Sequence, residues 1–151
     1  MTTNLEFRPI TKDNYRDAFR LKVHPEQEKF VAPNTFSLLQ AHYEPEFNAT
    51  PQGIYDGDTM VGFVMYHPED YEVSKLWFIE RLMVGQQYQG KGYGRATMEA
   101  LIARLKAVPG YAAILISFVP DNDAAQKLYS SLGFVDTGEI EEGEMVYRLG
   151  L

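Results

Sequence analysis

The chain has 151 residues, 45% of them hydrophobic and 13% aromatic, enough for one globular domain with a sizeable core and too few for two. It has no cysteine, which excludes a disulfide framework, a cysteine nucleophile and any thiolate metal site. The formal net charge of -7 argues against nucleic acid as a partner and suits a cationic one.

The opening, MTTNLEFRPI, has no basic head followed by an apolar run, and no apolar run reaches membrane-spanning length. A single cytoplasmic domain over residues 1–151, with no membrane partner, is expected. Residues 5–10 alternate apolar and polar as a strand does. Residues 11–23 read as a helix, with Asp13 as its cap and Tyr15, Phe19 and Val23 on one face. After the proline-punctuated HPEQEKFVAPN, residues 37–43 read as a short second helix. Residues 49–55 and 60–66 flank DGDT, whose Asp-Gly pair signals a hairpin. Residues 76–84 follow as a third antiparallel strand.

A glycine-rich loop comes next, and then a helix over residues 94–106, with Met98, Leu101, Ile102 and Leu105 on one stripe and VPG as its stop. Residues 112–117 read as a short buried strand. Pro120 closes it, donating no backbone hydrogen bond and restricting Val119, so strand pairing is expected to fail there. Residues 121–132 form the last helix, capped around Asn122 or Asp123 and ended by Gly133. A final hairpin, residues 134–140 and 145–149, turns at EEGE. The order implies an α/β fold of the α+β type, with a mixed, mostly antiparallel central sheet of about six to seven strands flanked by helices.

The loop QYQGKGYGRA, residues 87–96, has glycine at three alternate positions. Glycine-rich loops bind phosphate because a chain without side chains can turn several N–H groups onto one anion. A P-loop needs Ser or Thr after its Gly-Lys, and Gly92 stands there instead, so a magnesium ion lacks its protein ligand. A dinucleotide fingerprint begun at Gly90 fails too: its third glycine falls on Arg95, and the next strand ends at Ser117 with no acid for a ribose. The pattern that fits is Q-x-x-G-x-G, met by Gln89, Gly92 and Gly94 between a strand and a helix. The amides of Gly90, Lys91, Gly92, Tyr93, Gly94 and Arg95 can converge on a pyrophosphate at the helix N-terminus, and Lys91 and Arg95 add charge.

LMVGQQYQGKGYGRATMEALI, followed by FVPDNDAAQKLYSSLGF, resembles the GNAT superfamily of N-acetyltransferases from Gly62 onward. More loosely, EQEKFVAPNTFSLLQAHYEP with SLGFVDTGE looks like its spermine/spermidine acetyltransferase subgroup. The resemblance implies a GNAT-like fold and acetyl-coenzyme A as cosubstrate, its pyrophosphate on the loop and its pantetheine and carbonyl on the backbone of Leu82, Met83 and Val84. It implies Tyr129 as general acid and Asn122 as a further coenzyme contact. On periodicity alone Tyr129 shares a stripe with Ala125, Leu128 and Leu132 and could be core, and Asn122 could be only a cap. Some relatives have a glutamate where this chain has Ser117.

Glu80 is the candidate base, with a direct or water-relayed route for the proton both open. Strict alternation puts it on a face with Leu76, Phe78, Leu82 and Val84, and puts Arg81 on the other, which weakens an ion pair between them. Glu26 and Glu28, with Glu44 and Glu46 behind them, are candidates for a rim that binds a polycation, or else a solvated face. His24, His42 and His67 lie near prolines or in loops without ligand spacing, so no metal site is expected. The expected activity is acetyl transfer to a primary amine, a polyamine first. Another small amine, a protein amino terminus, or a non-catalytic acyl-coenzyme A sensor are the alternatives, and a homodimer is left open.

Overall fold

The computed structural model describes residues 4–71 and 73–151; the first three residues of the stretch read for a leader, and residue 72, lie outside it. The elements in chain order are β1 (Leu5–Pro9), α1 (Tyr15–Arg20), α2 (Asn34–Tyr43), β2 (Thr50–Asp56), β3 (Thr59–Tyr71), β4 (Ser74–Val84), α3 (Tyr93–Lys106), β5 (Tyr111–Phe118), α4 (Asp123–Ser131), β6 (Val135–Glu141) and β7 (Glu144–Gly150). The strands make one sheet in the order β1-β2-β3-β4-β5-β7-β6. Among the described residues only β4 and β5 run parallel, because α3 is the crossover between them. This is the mixed, mostly antiparallel sheet flanked by helices that the element order implies.

Two layers cover the sheet. On one face, Met98, Leu101 and Leu105 of α3 and Tyr129 of α4 pack on Val64, Ile79, Ile114 and Ile116. The stripe read from residues 94–106 is this contact, and each fully buried Leu or Met in it contributes about 1.5–3 kcal/mol. On the other face, Ala18 and Leu21 from α1 and its exit pack on Phe63, Met65 and Met83, while Leu76 and Phe78 pack on Leu115 and Val146.

The first helix is shorter than its pattern. Tyr15 is 43% and Phe19 54% exposed, and Ala18 and Leu21 are the buried residues instead. The turn into α1 is built by Thr11 and Asn14: the Thr11 N–H donates to Asn14 Oδ1 at 2.7 Å, so Asp13 is not its cap. The helix stops because Leu21 is already extended and the Lys22 carbonyl accepts the Gln86 N–H at 2.8 Å, a tertiary bond that a longer α1 would break. α2 starts at Asn34, earlier than expected, with the buried Asn34 side chain donating to the Ala18 carbonyl at 2.9 Å.

Candidate functional site

β4 positions the site by losing a neighbour half-way along. On the β3 side it is paired throughout, but the register slips: Met65 faces Arg81 and Tyr66 faces Ile79, so Glu80 has no opposite residue. On the other side pairing with β5 runs from Lys75↔Tyr111 to Ile79↔Ile116 and ends. A bulge bends its strand and sharpens the local twist, and here the bend turns β4 away from β5. Beyond it, Ser117 and Phe118 pair only with Val146 and Met145 of β7. Pairing of β4 with β5 therefore ends beside the bulge at Glu80, while β5 stays paired with β7 as far as Phe118 and stops just before Pro120. Leu82, Met83 and Val84 are left without a β5 partner, which is what a ligand lying in the split needs. The split opens into a cleft of about 980 Å³ lined by Leu82, Met83, Val84, Asn122 and Tyr129, among others.

The glycine loop closes one end of the cleft. Gly90 and Gly92 have φ of 78° and 87°, in the left-handed region where glycine is unstrained, and Gly92 is the N-cap of α3. Helix α3 makes its first backbone bond from the Ala96 N–H to the Gly92 carbonyl, so among the described residues the amides of residues 90–95 donate to no carbonyl. That donor set, at the start of a 14-residue helix, suits an anion. Gly94 has less need to be glycine, since a Cβ there would meet only Leu128 Cδ2 at 3.9 Å.

Gln89 is a brace for this loop. Its Nε2 donates to the Val84 carbonyl at 3.0 Å and to Gln27 Oε1 at 2.9 Å, while Gln27 Nε2 donates to Gln89 Oε1 at 3.1 Å. Gln27 lies too far away in sequence for any local pattern to reveal it. Tyr93 donates to Asp56 Oδ2 at 2.5 Å, tying the loop to the β2–β3 turn. Arg95 reaches Ser131 Oγ at 2.5 Å and lies 3.7 Å from Glu99, so its charge is partly committed. Lys91 has no ion pair among the described residues and is the freer cation.

Helix α4 supplies the opposite wall. Asn122 Oδ1 accepts the Ala125 N–H at 3.2 Å, so it caps the helix and lines the cleft at once. Tyr129 is 7% exposed, with its ring against Phe118 and Phe134 at 5.6 and 6.0 Å. It is thus both core and cleft, and its hydroxyl makes no hydrogen bond among the described residues. Burial pushes its pKa well above the ordinary phenol range, so it is a neutral donor at any physiological pH.

Glu80 keeps the face that alternation gives it, beside Leu76 and Phe78, but Arg81 and Leu82 do not. The bulge sends Leu82 to the α3–α4 face while Phe78 faces the other way, and Glu80 and Arg81 lie on the Phe78 side together. Arg81 Nη1 donates to Glu80 Oε1 at 3.0 Å. His67 Nε2 is 3.2 Å from Glu80 Oε2, and its ring stacks on Phe78 at 5.6 Å. His67, read from sequence as a bland loop residue, is therefore a buried member of β3 in the site. Its Nδ1 faces the Pro68 carbonyl at 3.1 Å, so both ring nitrogens face acceptors and only the imidazolium satisfies both. Burial opposes that charge, but the hydrogen bonds to Glu80 and the Pro68 carbonyl and the charges of Glu80 and Glu69 outweigh it and raise the pKa. In return the His67 hydrogen bond, against burial and with Arg81 assisting, lowers that of Glu80. A carboxylate held by two cationic partners is a weak proton acceptor.

The cleft does not contain every acid read from the sequence. Glu26 and Glu28 are exposed; Glu28 lines a separate cavity of about 360 Å³ and Glu26 lines neither. The cleft's own carboxylates are Glu44, Glu69, Glu80, Asp121, Asp123, Glu141, Glu142 and Glu144, against one arginine, Arg81, among the described lining residues. Among those residues no group of three His, Asp or Glu side chains is placed to hold a metal ion.

The split β4–β5 pair, the glycine loop between β4 and α3, and the sequence pattern coincide: the pattern of the acetyltransferase (GNAT) family matches residues 8–134. The chain belongs to the GNAT family. It is an N-acetyltransferase by this membership and by its relatives. Spermine/spermidine N(1)-acetyltransferase of Bacillus subtilis (strain 168) is 30% identical over 95% of this chain and 96% of its own length. Mycothiol acetyltransferase of Kocuria rhizophila is 31% identical, over 74% of this chain and 37% of its own length. Among solved structures, spermidine N-acetyltransferase from Vibrio cholerae in complex with CoA and spermine superposes with a TM-score of 0.76, covering 99% of this chain and 96% of that one. A domain from Methanocaldococcus jannaschii gives 0.74, covering 99% and 100%. At 16% and 22% identity these two likenesses show the shared GNAT fold.

Proposed function

We propose that this GNAT chain transfers an acetyl group from acetyl-coenzyme A to a primary amine, and that the amine is a polyamine. The observation that carries the first part is the split at Glu80, which leaves β4 backbone without a β5 partner beside a loop whose amides donate to no carbonyl among the described residues. Bound there, the coenzyme supplies a thioester carbonyl and a thiolate leaving group. The amides of Gly90 to Arg95, with Lys91, would hold its pyrophosphate, and Leu82 to Val84 its amide-bearing arm. Asn122 serves as a further contact. Tyr129, buried, neutral and without an internal partner, donates to the sulfur as negative charge develops on it.

The acceptor reading rests on charge and kinship. Eight carboxylates against one arginine among the described lining residues make the cleft attractive to a cation. The relative that is 30% identical over 95% of the chain is a spermine/spermidine enzyme. Glu80 retains its place at the reacting end of the split. As a base it acts at pH above the raised pKa of His67, where the imidazole is neutral and Arg81 is the one remaining cationic partner. Glu26 and Glu28, outside the cleft, serve at most as an outer field for a polycation.

The test is free-thiol release with spermine, spermidine and a neutral-tailed monoamine of similar length, at low and high ionic strength. The polyamines should be favoured and their KM should rise with salt, since exposed pairs are worth only about 0.2–1 kcal/mol each and are screened. Equal efficiency for all three at both salt levels refutes the polyamine assignment, and no thiol release with any amine refutes the amine acceptor altogether.

A further inference from the structure

The two lips of the split carry unequal carboxylates. The last β4–β5 pair is Ile79↔Ile116, so Glu80 and Ser117 are the first residues on either side of the opening. On β5, Ile116 and Phe118 face α3 and α4, whereas Leu115 packs with Phe78 on the other face, so Ser117 falls on the Phe78 side, where Glu80 also lies. Ser117 opposes Val146 of β7, and from two residues earlier on that strand Glu144 turns back to it: the Ser117 hydroxyl donates to Glu144 Oε1 at 2.9 Å. A carboxylate therefore stands at the β5 lip although β5 itself contributes only a serine. Glu144 lines the cleft and is half-buried.

The difference between the lips is charge compensation. Glu80 is paired with Arg81 and hydrogen-bonded to His67. Glu144 has no cationic partner among the described residues; the residue directly across the β6–β7 ladder is another acid, Glu141. An ammonium group arriving at the split meets Arg81, joined by His67 when the imidazole is protonated, around Glu80, and no cation around Glu144 among the described residues. We propose that Glu144 holds the acceptor's ammonium group at the mouth of the split, with Ser117 as the positioning residue that fixes the carboxylate's direction. This rests on the acetyltransferase reading of the cleft. It moves recognition of the acceptor's charge from β4, where the sequence points, to the turn side of β7.

The experiment compares the parent with Glu144→Gln, Glu144→Asp and Ser117→Ala, using spermidine and n-butylamine as probes. For each, KM and kcat come from thiol release, acetyl-coenzyme A affinity from calorimetry and Tm from thermal denaturation. Glu144→Gln should raise the KM of any amine the parent acetylates by about tenfold or more, with a smaller change in kcat, because a charge partner is lost from a partly desolvated site. Coenzyme affinity and Tm should stay as in the parent. Ser117→Ala should raise KM about threefold, since it loosens the carboxylate without removing it, and Glu144→Asp should restore most of the affinity lost in Glu144→Gln. A KM within twofold of the parent in Glu144→Gln, or an equal loss of coenzyme affinity, overturns the inference and leaves the acetyltransferase reading standing. A parent that acetylates neither amine overturns both.

Discussion

Tyr129→Phe should lower turnover while leaving the fold nearly as stable as in the parent. The substitution removes one oxygen from a side chain that is 7% exposed and leaves its ring contacts with Phe118 and Phe134 in place. A typical buried hydroxyl contributes about 1 kcal/mol through its hydrogen bond, but this one bonds to nothing among the described residues, so stability should change by less than about 1 kcal/mol. For a chain of this size 1 kcal/mol is about 2–4 °C in Tm. The kinetic cost is different. A phenol of ordinary pKa near 10 giving its proton to a thiolate near 8.5 runs uphill by about 2 kcal/mol, and burial steepens the slope. In the proposed mechanism Tyr129 is a hydrogen-bond donor to a charged sulfur, an interaction worth about 1.5–3 kcal/mol, so turnover should fall by about 10²-fold in Tyr129→Phe. Coenzyme affinity should hold, because the bond forms mainly in the transition state. The same raised pKa sets the pH behaviour: Tyr129 stays protonated, so it contributes no basic limb to the rate profile below about pH 10. Thiol-release kinetics across pH, with thermal denaturation on the same samples, checks both halves. Turnover within twofold of the parent, or a basic limb below pH 10 that disappears in Tyr129→Phe, would return this tyrosine to a purely structural role.

Two further outcomes are expected. Gly92→Asp puts a carboxylate at the α3 N-cap, at a φ of 87° that costs a non-glycine residue about 1 kcal/mol, so the fold should survive while calorimetry shows acetyl-coenzyme A affinity down at least about 100-fold; unchanged affinity sinks the loop assignment. His67→Ala should destabilise in a pH-dependent way. His67 has a raised pKa, so its contribution is complete below about pH 6.5 and is lost as pH rises through its folded value, whereas Glu80, lowered, contributes above about pH 4.5 and loses that contribution as pH falls through its folded value. Urea denaturation should show a loss of about 3–4 kcal/mol near pH 6, from the charged hydrogen bond and the vacated ring volume, and a loss smaller by about 1–2 kcal/mol near pH 9; a pH-independent difference rules out the ion pair as its source.

Much of the fold was legible locally because its causes are local. The Asp-Gly turn made the β2–β3 hairpin, the Met98–Leu101–Leu105 stripe made α3, and the alternate glycines announced a tight turn into that helix, since glycine rests without strain at the φ of Gly90 and Gly92. Tyr129 and Asn122 could be placed on the last helix from its caps and period. What alternation could not contain was the bulge. An extra residue in β4 exists only relative to β3, so strict period 2 put Glu80 and Arg81 on opposite faces when pairing puts them together. The same holds for partners joined by folding alone: His67 with Glu80, Gln27 with Gln89, and Ser117 with Glu144. Tyr15 and Phe19 make the point in reverse. Their four-residue spacing marks a helical face, but which face is buried depends on where α1 lands on the sheet, and it lands on Ala18. Local pattern determined which elements form and which residue types they carry; only packing decided where β4 bends, and with it where the cleft opens and which carboxylates stand at its edge with their charge uncompensated.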